Sequence, residues 1–467
     1  MKLSLPLSVI TVTMVALAPL TTARIENPET LFAEQSYRAC ADNVSSIYIG
    51  SGSIPGSILL TETRAFALIM ASDTTIVGAA GALDDVNGGR VAAFTHGGFI
   101  SAATQGNGLG NMLFNIAKWA GRSDDPKVAI QSGRSELTDL AQLKFDTFST
   151  APHAITDSEV LNGDLTTSNY DILFAQSAKY DTPAEIAAVR SFLEEGGGVV
   201  FYGTSWAFDY PNGFDYELDY AANAVLLGTG VNILGSIDWD YESGPWTVPT
   251  NLSDPIVNNA GYAVASLEQH VTAEDTLSSS EETYATDVIN QALDDLMDIR
   301  KNLTSFFTAL DDLAVIIKNE TSFVYPSRTN TFSTTANSMA NFLIQLENSY
   351  ALNLPAGQLE AHPGHVDYPG EVPAGAVPLA NQVVSVRGKY EGLDTYLIYA
   401  GSGADRWTST ALYLIAGTTM TVTIPASMVD DDLSVRVGCH TDNLSSKDSL
   451  NRMPQISRSW DLTKEVR

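Results

Sequence analysis

The chain has 467 residues, of which 44% are hydrophobic and 17% charged, and its 55 acidic and 25 basic side chains give a net charge of −30. This composition excludes a disordered polyelectrolyte, and at roughly 150 residues per domain the length predicts two to three domains, each with its own core. The negative charge excludes nucleic acid and anionic lipid as partners, because both would be repelled. Two cysteines exclude a disulfide-rich scaffold or a cysteine-rich zinc module.

The N-terminus has the pattern of a secretory signal peptide. Lys2 supplies a positive charge, residues 3–20 are mostly apolar, and Thr21-Thr22-Ala23 forms a small-residue cleavage site. Prolines interrupt the apolar stretch and it ends at the cleavage pattern, so a signal peptide at residues 1–23 is favoured over a membrane-spanning helix. A buried N-terminal helix is the alternative. No later stretch is long and apolar enough to span a bilayer. We therefore expect a secreted, extracellular protein without a transmembrane anchor.

Two further features agree with export. An oxidising compartment permits a disulfide between Cys40 and Cys439, although two unpaired thiols are equally compatible with the sequence. Five N-x-[ST] sequons are candidate glycosylation sites in a eukaryotic secretory pathway: Asn43, Asn251, Asn302, Asn319 and Asn443.

Residues 47–235 alternate short apolar runs with helical stretches, which predicts a doubly wound α/β domain. The clearest unit begins with Thr182-Pro183-Ala184-Glu185, a capping box with proline at the first helical position. Three glycines at 196–198 end this helix, and Val199–Tyr202 follows as a buried strand. Other predicted strands are Arg64–Met70, Thr74–Ala80, Arg90–His96, Lys127–Gln131 and Tyr170–Phe174, and other predicted helices are Leu109–Ala120 and Glu136–Leu143.

Residues 236–360 change to a mainly helical spacer. Apolar residues recur at helical steps over Val288–Lys318 and again over Ser338–Tyr350, which predicts helices packed on a neighbouring domain, with a short coiled coil as the alternative. Residues 354–380 are rich in proline and glycine and read as a linker. The last segment, 361–467, is predicted to form a β-sandwich from short β-rich runs at Val383–Arg387, Thr395–Ala400, Thr419–Pro425 and Leu433–Gly438.

The six histidines do not form the zinc motif H-E-x-x-H, which needs two imidazoles one helical turn apart. His362 and His365 have another spacing, with a proline and a glycine between them that oppose a helix, so an exposed linker is favoured over a metal site. The acidic run Asp238–Glu242 offers oxygen ligands to calcium but lacks the rest of an EF-hand loop. The residues therefore predict no metal site in this chain.

A nucleophile is conceivable after the strand at Val199–Tyr202. Gly203-Thr204-Ser205-Trp206 follows it directly, where α/β hydrolases place a catalytic serine, but the glycine that completes the elbow motif is replaced by Ala207. His96 ends another strand of the same domain and is the candidate base. No acid completes a triad, and polar residues that merely cap strand ends are the favoured alternative.

Aromatic residues cluster after the same strand. Flat rings beside Asp and Asn side chains can stack on sugars, so Trp206, Trp239 and Trp246 are candidate glycan-binding residues, with ordinary core filling as the alternative.

An ordered set of motifs occupies the C-terminal segment. Tyr368-Pro369-Gly370 is followed by Trp407-Thr408-Ser409-Thr410-Ala411-Leu412-Tyr413, by Val435–Asp442 and by Arg452-Met453-Pro454. This segment resembles the β-sandwich that opens the enhancin-like, mucin-targeting zinc peptidases of peptidase family M-60. Ala411 stands where that family usually has glycine. The motif residues to which the resemblance gives a structural role are Trp407, Ser409, Thr410, Leu412, Tyr413, Arg436, Gly438, Cys439, His440, Asp442, Arg452 and Pro454.

The N-terminal domain carries a second, looser resemblance. Ile54-Pro55-Gly56, Ala65-Phe66 and Gly89–Phe99 are similar to the amidotransferase-like α/β domain that precedes this peptidase in some bacterial proteins and in TRP-channel-associated factors. A working amidotransferase needs a nucleophilic cysteine at the elbow, where this chain has Thr204 and Ser205. The resemblance thus implies the fold without that activity.

Together the resemblances imply a secreted M-60 domain-containing protein, a zinc metallopeptidase acting on glycoproteins or mucins in its full-length form. The family's zinc helix lies downstream of the sandwich, so zinc is expected only if a catalytic segment follows Arg467. The expected partner is a glycoprotein or glycan. The alternatives are a non-catalytic secreted glycan-binding protein and, more weakly, a serine hydrolase using Ser205.

Overall fold

A computed structural model describes residues 28–50, 53–72, 75–105, 108–134, 145–207, 219–237, 244–248, 258–274, 276–334, 336–373, 375–385, 407–429, 433–438, 442, 444 and 447–462. The signal peptide predicted over 1–23 and the helix predicted over Glu136–Leu143 lie outside these residues. The chain divides into two compact units, Met1–Glu281 and Glu282–Arg467.

The first unit is a mixed α/β structure. Its strands are β1 (Ser46–Ile47), β2 (Gly56–Leu60), β3 (Phe66–Met70), β4 (Ile76–Ala82), β5 (Arg90–Phe94), β6 (Val128–Gln131), β7 (His153–Ile155), β8 (Ile172–Gln176), β9 (Gly198–Tyr202), β10 (Val231–Ile237) and β11 (Trp246–Thr247). Its helices are α1 (Pro28–Ala41), α2 (Gly98–Ser101), α3 (Leu109–Ala120), α4 (Asp157–Leu161), α5 (Pro183–Glu194), α6 (Ala221–Leu226) and α7 (Ala260–Val271).

Nine of these strands form one sheet in the order β10-β2-β4-β5-β9-β8-β6-β7, with β3 also paired to β4. Neighbours from β5 to β7 run parallel, whereas those from β10 to β5 run antiparallel. The α/β class predicted from the sequence is confirmed, and the sheet is mixed. β9 is buried along its whole length, as expected for a parallel strand that is covered on both faces.

Two apolar cores lie on opposite faces of this sheet. On one face Phe66, Phe94 and Tyr202 are buried with side chains of α1 and α3. On the other, Leu173 and Phe201 are buried with side chains of α4, α5 and α6. The period-two alternation along each strand sends successive side chains to opposite cores, which produces a three-layer arrangement.

The predicted capping box is confirmed at the start of α5. The Thr182 hydroxyl accepts a hydrogen bond from the Glu185 backbone N–H at 3.3 Å, and the Glu185 carboxylate accepts one from the Thr182 N–H at 3.2 Å. The helix ends where predicted because Gly196 has φ +98°, a left-handed conformation that glycine adopts without steric cost. Helix α3 spans the predicted Leu109–Ala120.

Helices dominate the start of the second unit. They are α8 (Ser279–Leu296), which begins just before the boundary, α9 (Thr304–Glu320) and α10 (Ser338–Asn353). The single helix expected over Val288–Lys318 is divided by a 3₁₀ turn at Met297–Ile299. Met297 and Ile299 stay buried within that turn, so the apolar periodicity continues through the break and does not reveal it.

The described part of the C-terminal segment contains two short strand pairs. β12 (Phe332–Ser333) pairs with β14 (Ser449–Leu450), and β13 (Ser434–Val437) pairs with β15 (Arg458–Asp461), both antiparallel. β13 confirms the strand predicted at Leu433–Gly438.

The strand predicted at Thr419–Pro425 is wrong, because this segment pairs with no strand among the described residues and leaves Met420 and Val422 exposed. Residues 383–385 are likewise not in a strand, and the run at Thr395–Ala400 lies outside the described residues. The predicted β-sandwich is therefore not formed by the part of the segment that the structure describes.

Across the described chain, none of the helices has the length and apolar character needed to cross a membrane.

Candidate functional site

Polar residues follow neighbouring parallel strands of the large sheet at one edge. His96 comes shortly after β5, Ser205 shortly after β9 and Ser177 directly after β8, and Gln131 ends β6. The carboxyl ends of parallel strands meet at the same edge, which is where open α/β sheets bind ligands. We call these four residues, together with Trp206, the sheet-edge site.

Ser205 has a structural hydrogen bond in this site. It begins a 3₁₀ turn at Ser205–Ala207 and is fully buried. Its hydroxyl donates to the backbone carbonyl of Leu234 in β10 at 2.8 Å. A serine nucleophile must instead present its oxygen to a substrate and its proton to a base. The hydroxyl is thus directed into the protein rather than toward the edge of the sheet.

His96 is also held by the backbone. Its Nδ1 accepts a hydrogen bond from the Gly98 N–H at 2.9 Å, so the proton of the neutral ring is on Nε2. Burial lowers the pKa of the imidazole below its ordinary value, which keeps the ring neutral. Among the described residues His96 and Ser205 share no hydrogen bond. The fold brings both to one edge, as predicted, without joining them as a base and nucleophile.

Two polar contacts at this edge were not predicted from the sequence. The buried hydroxyls of Ser177 and Tyr220 lie 2.5 Å apart, and the Gln131 side-chain oxygen accepts from the Gln176 N–H at 2.8 Å. The sequence feature that could have predicted them is a polar residue at or directly after the end of a buried strand, the feature that also identified Ser205 as a candidate. These groups satisfy one another and hold the ends of neighbouring strands together.

The tryptophan candidates differ in how much of the ring a sugar could reach. Trp206 is half-buried, and its indole N–H donates to the Ile54 carbonyl at 3.0 Å. Trp246 is only 8% exposed and stacks on Phe99, with ring centres 5.9 Å apart and planes at 24°. Trp246 thus belongs to the apolar core and cannot serve as a sugar platform, which corrects that expectation. Trp239 lies outside the described residues.

The C-terminal motif residues build a second polar and aromatic surface. The guanidinium carbon of Arg436 lies 3.6 Å from the centre of the Trp407 ring. The side-chain oxygens of Ser409 and Thr410 accept hydrogen bonds from the backbone N–H groups two residues further on, at 3.2 and 3.3 Å. Ala411, the residue after Thr410, has φ +55°, the left-handed conformation that suits the glycine usual at this position in the family.

Further motif residues tie the last strands together. Asp442 accepts from the Arg452 guanidinium at 2.6 Å and from the Gln455 N–H at 3.1 Å. The Tyr413 hydroxyl donates to the Gly370 carbonyl at 2.7 Å, Pro454 is buried, Leu412 is exposed, and Gly438 has φ +87°. Cys439 and His440 lie outside the described residues.

The described residues do not fit a zinc ion. They contain no cluster of three or more His, Cys, Asp or Glu side chains arranged to hold a metal. His362 uses Nε2 to contact the Asn348 side chain at 3.0 Å and Nδ1 to accept from the Gly364 N–H at 3.2 Å. His365 directs its Nδ1 to the His362 carbonyl at 2.8 Å. The acidic run Asp238–Glu242 lies outside the described residues.

The sequons and Cys40 occupy different environments. Asn43 and Asn319 are exposed, and Asn302 is half-buried, whereas Asn251 and Asn443 lie outside the described residues. Cys40 is fully buried in α1 and its thiol is free. Burial raises the pKa of this thiol.

Two family models match the chain. The N-terminal domain model of TRPM8 channel-associated factors matches residues 29–249, and the model for the N-terminal domain of M60-like peptidases matches residues 381–467. Both resemblances drawn from the sequence motifs are thereby confirmed, and they occur in the predicted order along the chain.

Curated relatives extend the first match over most of the chain. A TRPM8 channel-associated factor homolog from Xenopus laevis is 23% identical over 428 residues, which cover 89% of this chain and 40% of the relative. Human TRPM8 channel-associated factor 2 is 22% identical over 442 residues, covering 91% and 41%. The chain spans about two fifths of the length of these relatives.

Solved structures of the IMPa metallopeptidase from Pseudomonas aeruginosa are also similar to the chain. One is in complex with an O-glycopeptide, with a TM-score of 0.42 and 14% identity, and one is in complex with T-antigen, with a TM-score of 0.43 and 14% identity. Each match covers 68% of this chain and 38% of the IMPa chain.

Proposed function

We propose that this chain is a non-catalytic N-terminal region of a secreted M60-like protein and that it binds a glycoprotein partner. In the full-length protein, the bound partner would be presented to a zinc metallopeptidase segment. The observation that carries the proposal is the combination of an M60-like N-terminal match at 381–467 with described residues that hold no cluster of metal ligands and in which the Ser205 hydroxyl is bound to a backbone carbonyl.

The binding role is supported by the surface of the C-terminal segment. Trp407, Leu412 and Tyr413 are all more than two fifths exposed, at 50%, 49% and 43%. Exposed aromatic side chains next to charged ones supply both stacking surface and hydrogen bonds, which is the combination that recognises sugars and glycopeptides. Secretion is part of the proposal and rests on the pattern of residues 1–23.

The proposal is tested with the purified 467-residue chain and a heavily O-glycosylated glycoprotein. We expect saturable binding by calorimetry and no cleavage of the glycoprotein on a gel, with or without EDTA. The matched control is the same glycoprotein after enzymatic removal of its glycans, which is expected to bind more weakly. Equal binding to both forms would contradict glycan recognition, and EDTA-sensitive cleavage by the chain would contradict a non-catalytic role.

A second candidate is an accessory protein of a membrane channel. The relatives that align over about nine tenths of the chain are named for association with the TRPM8 channel. Co-purification of the chain with a channel protein, unchanged when the channel is deglycosylated, would favour this function over the first.

A further inference from the structure

The most exposed tryptophan of the described chain is held by a charged neighbour. Trp407 is 50% exposed, and the Arg436 guanidinium lies 3.6 Å from its ring centre, the distance of direct stacking. A cation at this distance is attracted to the face of the indole and favours this orientation of the ring. Half of the Trp407 side chain stays exposed although the guanidinium lies over its ring.

The strand pair below this ring presents polar groups on the same side. In the register of β13 and β15, Arg436 lies opposite Ser459 and Ser434 lies opposite Asp461. All four residues alternate with the half-buried side chains of both strands and are exposed. We call Trp407 and these four residues the Trp407 face.

One hydrogen bond orients the Arg436 side chain of the Trp407 face, and other polar groups of this face make no hydrogen bond within the described residues. The Arg436 Nε donates to the Ser459 hydroxyl at 3.2 Å, which fixes the plane of the guanidinium fork. Within the described residues, the two terminal NH₂ groups of Arg436 and the Asp461 carboxylate make no hydrogen bond. They offer donors and acceptors on the exposed face of the strand pair, where Arg436 contacts the half-exposed Trp407 ring.

We propose that the Trp407 face binds a pyranose unit of a glycan, which deepens and rests on the proposed function. The C–H face of the sugar would pack on the exposed part of Trp407, and its neighbouring hydroxyls would bind the Arg436 fork and the Asp461 carboxylate. Asp461 on the same exposed face as Arg436, within a chain of net charge −30, disfavours a phosphate or another strongly anionic ligand. Trp407 thus joins Trp206 and Trp239 as a candidate glycan-binding tryptophan, in place of the buried Trp246.

The test uses the complete chain and the O-glycosylated glycoprotein, with binding measured by calorimetry and by quenching of tryptophan fluorescence. Trp407→Ala is expected to weaken binding by roughly tenfold or more, because it removes a central aromatic contact. Arg436→Gln is expected to weaken it as well while leaving the hydroxyl partner Ser459 in place. Thermal unfolding checks that each variant remains folded.

The matched control lies on the other face of the same strand pair. Trp460 pairs with Val435 across the strands and contacts Arg458, with the guanidinium 5.2 Å from its ring. Trp460→Phe is expected to keep parental affinity. Parental affinity in both Trp407→Ala and Arg436→Gln would overturn the Trp407 face while leaving the proposed function standing. Absence of glycan-dependent binding by the parent chain would overturn both.

Discussion

The hydroxyl of Ser205 and the carbonyl oxygen of Leu234 form a hydrogen bond of 2.8 Å that connects the turn after β9 to β10. Ser205 is fully buried, so its oxygen cannot reach a substrate without local unfolding. The residue that best resembles a nucleophile in the sequence therefore has a structural function in the folded chain.

We predict that Ser205→Ala destabilises the chain by about 1–3 kcal/mol, because the buried Leu234 carbonyl loses its donor. Urea unfolding measures this loss. The neighbouring Thr204→Ala, at a half-buried position, is expected to cost less. An active-serine fluorophosphonate probe is expected to leave the parent chain unlabelled, and labelling that disappears in Ser205→Ala would reinstate the serine hydrolase.

The capping box of α5 gives a second stability test. Thr182→Ala removes the hydroxyl that accepts from the Glu185 N–H and is expected to cost about 1 kcal/mol. Thr182→Ser keeps the oxygen and should keep most of the stability. If the two variants unfold at the same urea concentration, the hydrogen bond of the cap contributes nothing measurable.

The sequence predicts those parts of the fold that local chemistry determines. The capping box and the left-handed glycine mark both ends of α5 because each acts within a few residues. The break at Met297–Ile299 is not predictable from periodicity, because its residues remain buried. The absent strand at Thr419–Pro425 has β-like alternation, but forming a strand also needs a partner, which composition does not reveal.

The conformation of Ala411 predicts a stabilising substitution. A left-handed φ of +55° costs a non-glycine residue about 1–2 kcal/mol, partly offset by the greater unfolded-state entropy of glycine. Ala411→Gly is therefore expected to raise the stability of the second unit by about 0.5–1 kcal/mol, measured by thermal unfolding. Gly438→Ala is the opposite control and is expected to destabilise the unit. Gly438 has φ +87°, and an added Cβ would lie 2.3 Å from the Ile456 carbonyl oxygen. A destabilised Ala411→Gly would show that this backbone carries no strain.

The candidate site is less predictable than the fold because its contacts join distant parts of the chain. Strand order places His96 and Ser205 at one edge, and the sequence does indicate this. The partner of Ser205 is 29 residues away and the partner of Trp206 is 152 residues away, so no local pattern could identify them. The stacking of Trp407 on Arg436 depends in the same way on tertiary packing.

The half-buried imidazole of His96 predicts acid sensitivity. Its pKa in the folded chain is below the ordinary 6.5, so as the pH falls through and below 6.5 the unfolded state binds the proton first and stability is lost. Protonation would also remove the Nδ1 acceptor of the Gly98 N–H. We expect urea midpoints to fall between pH 7 and pH 5 and to fall less in His96→Asn. Burial also lowers the pKa of His362, so this residue contributes to the pH dependence of the urea midpoint that remains in His96→Asn. If the urea midpoint of His96→Asn depends on pH as strongly as that of the parent, protonation of His96 is not the cause of the acid sensitivity.

The buried thiol of Cys40 predicts reactivity that depends on unfolding. Burial raises its pKa, so at pH 8 the thiol is protonated as well as inaccessible, and both effects slow attack on a disulfide reagent. In Cys439→Ser, where Cys40 is the remaining cysteine, we expect no reaction with DTNB in the native chain and about one thiol per chain in guanidinium. In the unfolded parent without reductant, two thiols per chain should react with DTNB if Cys40 is free as in the structure. Reaction of none in the unfolded parent, together with one in Cys439→Ser, would instead demonstrate a Cys40–Cys439 disulfide.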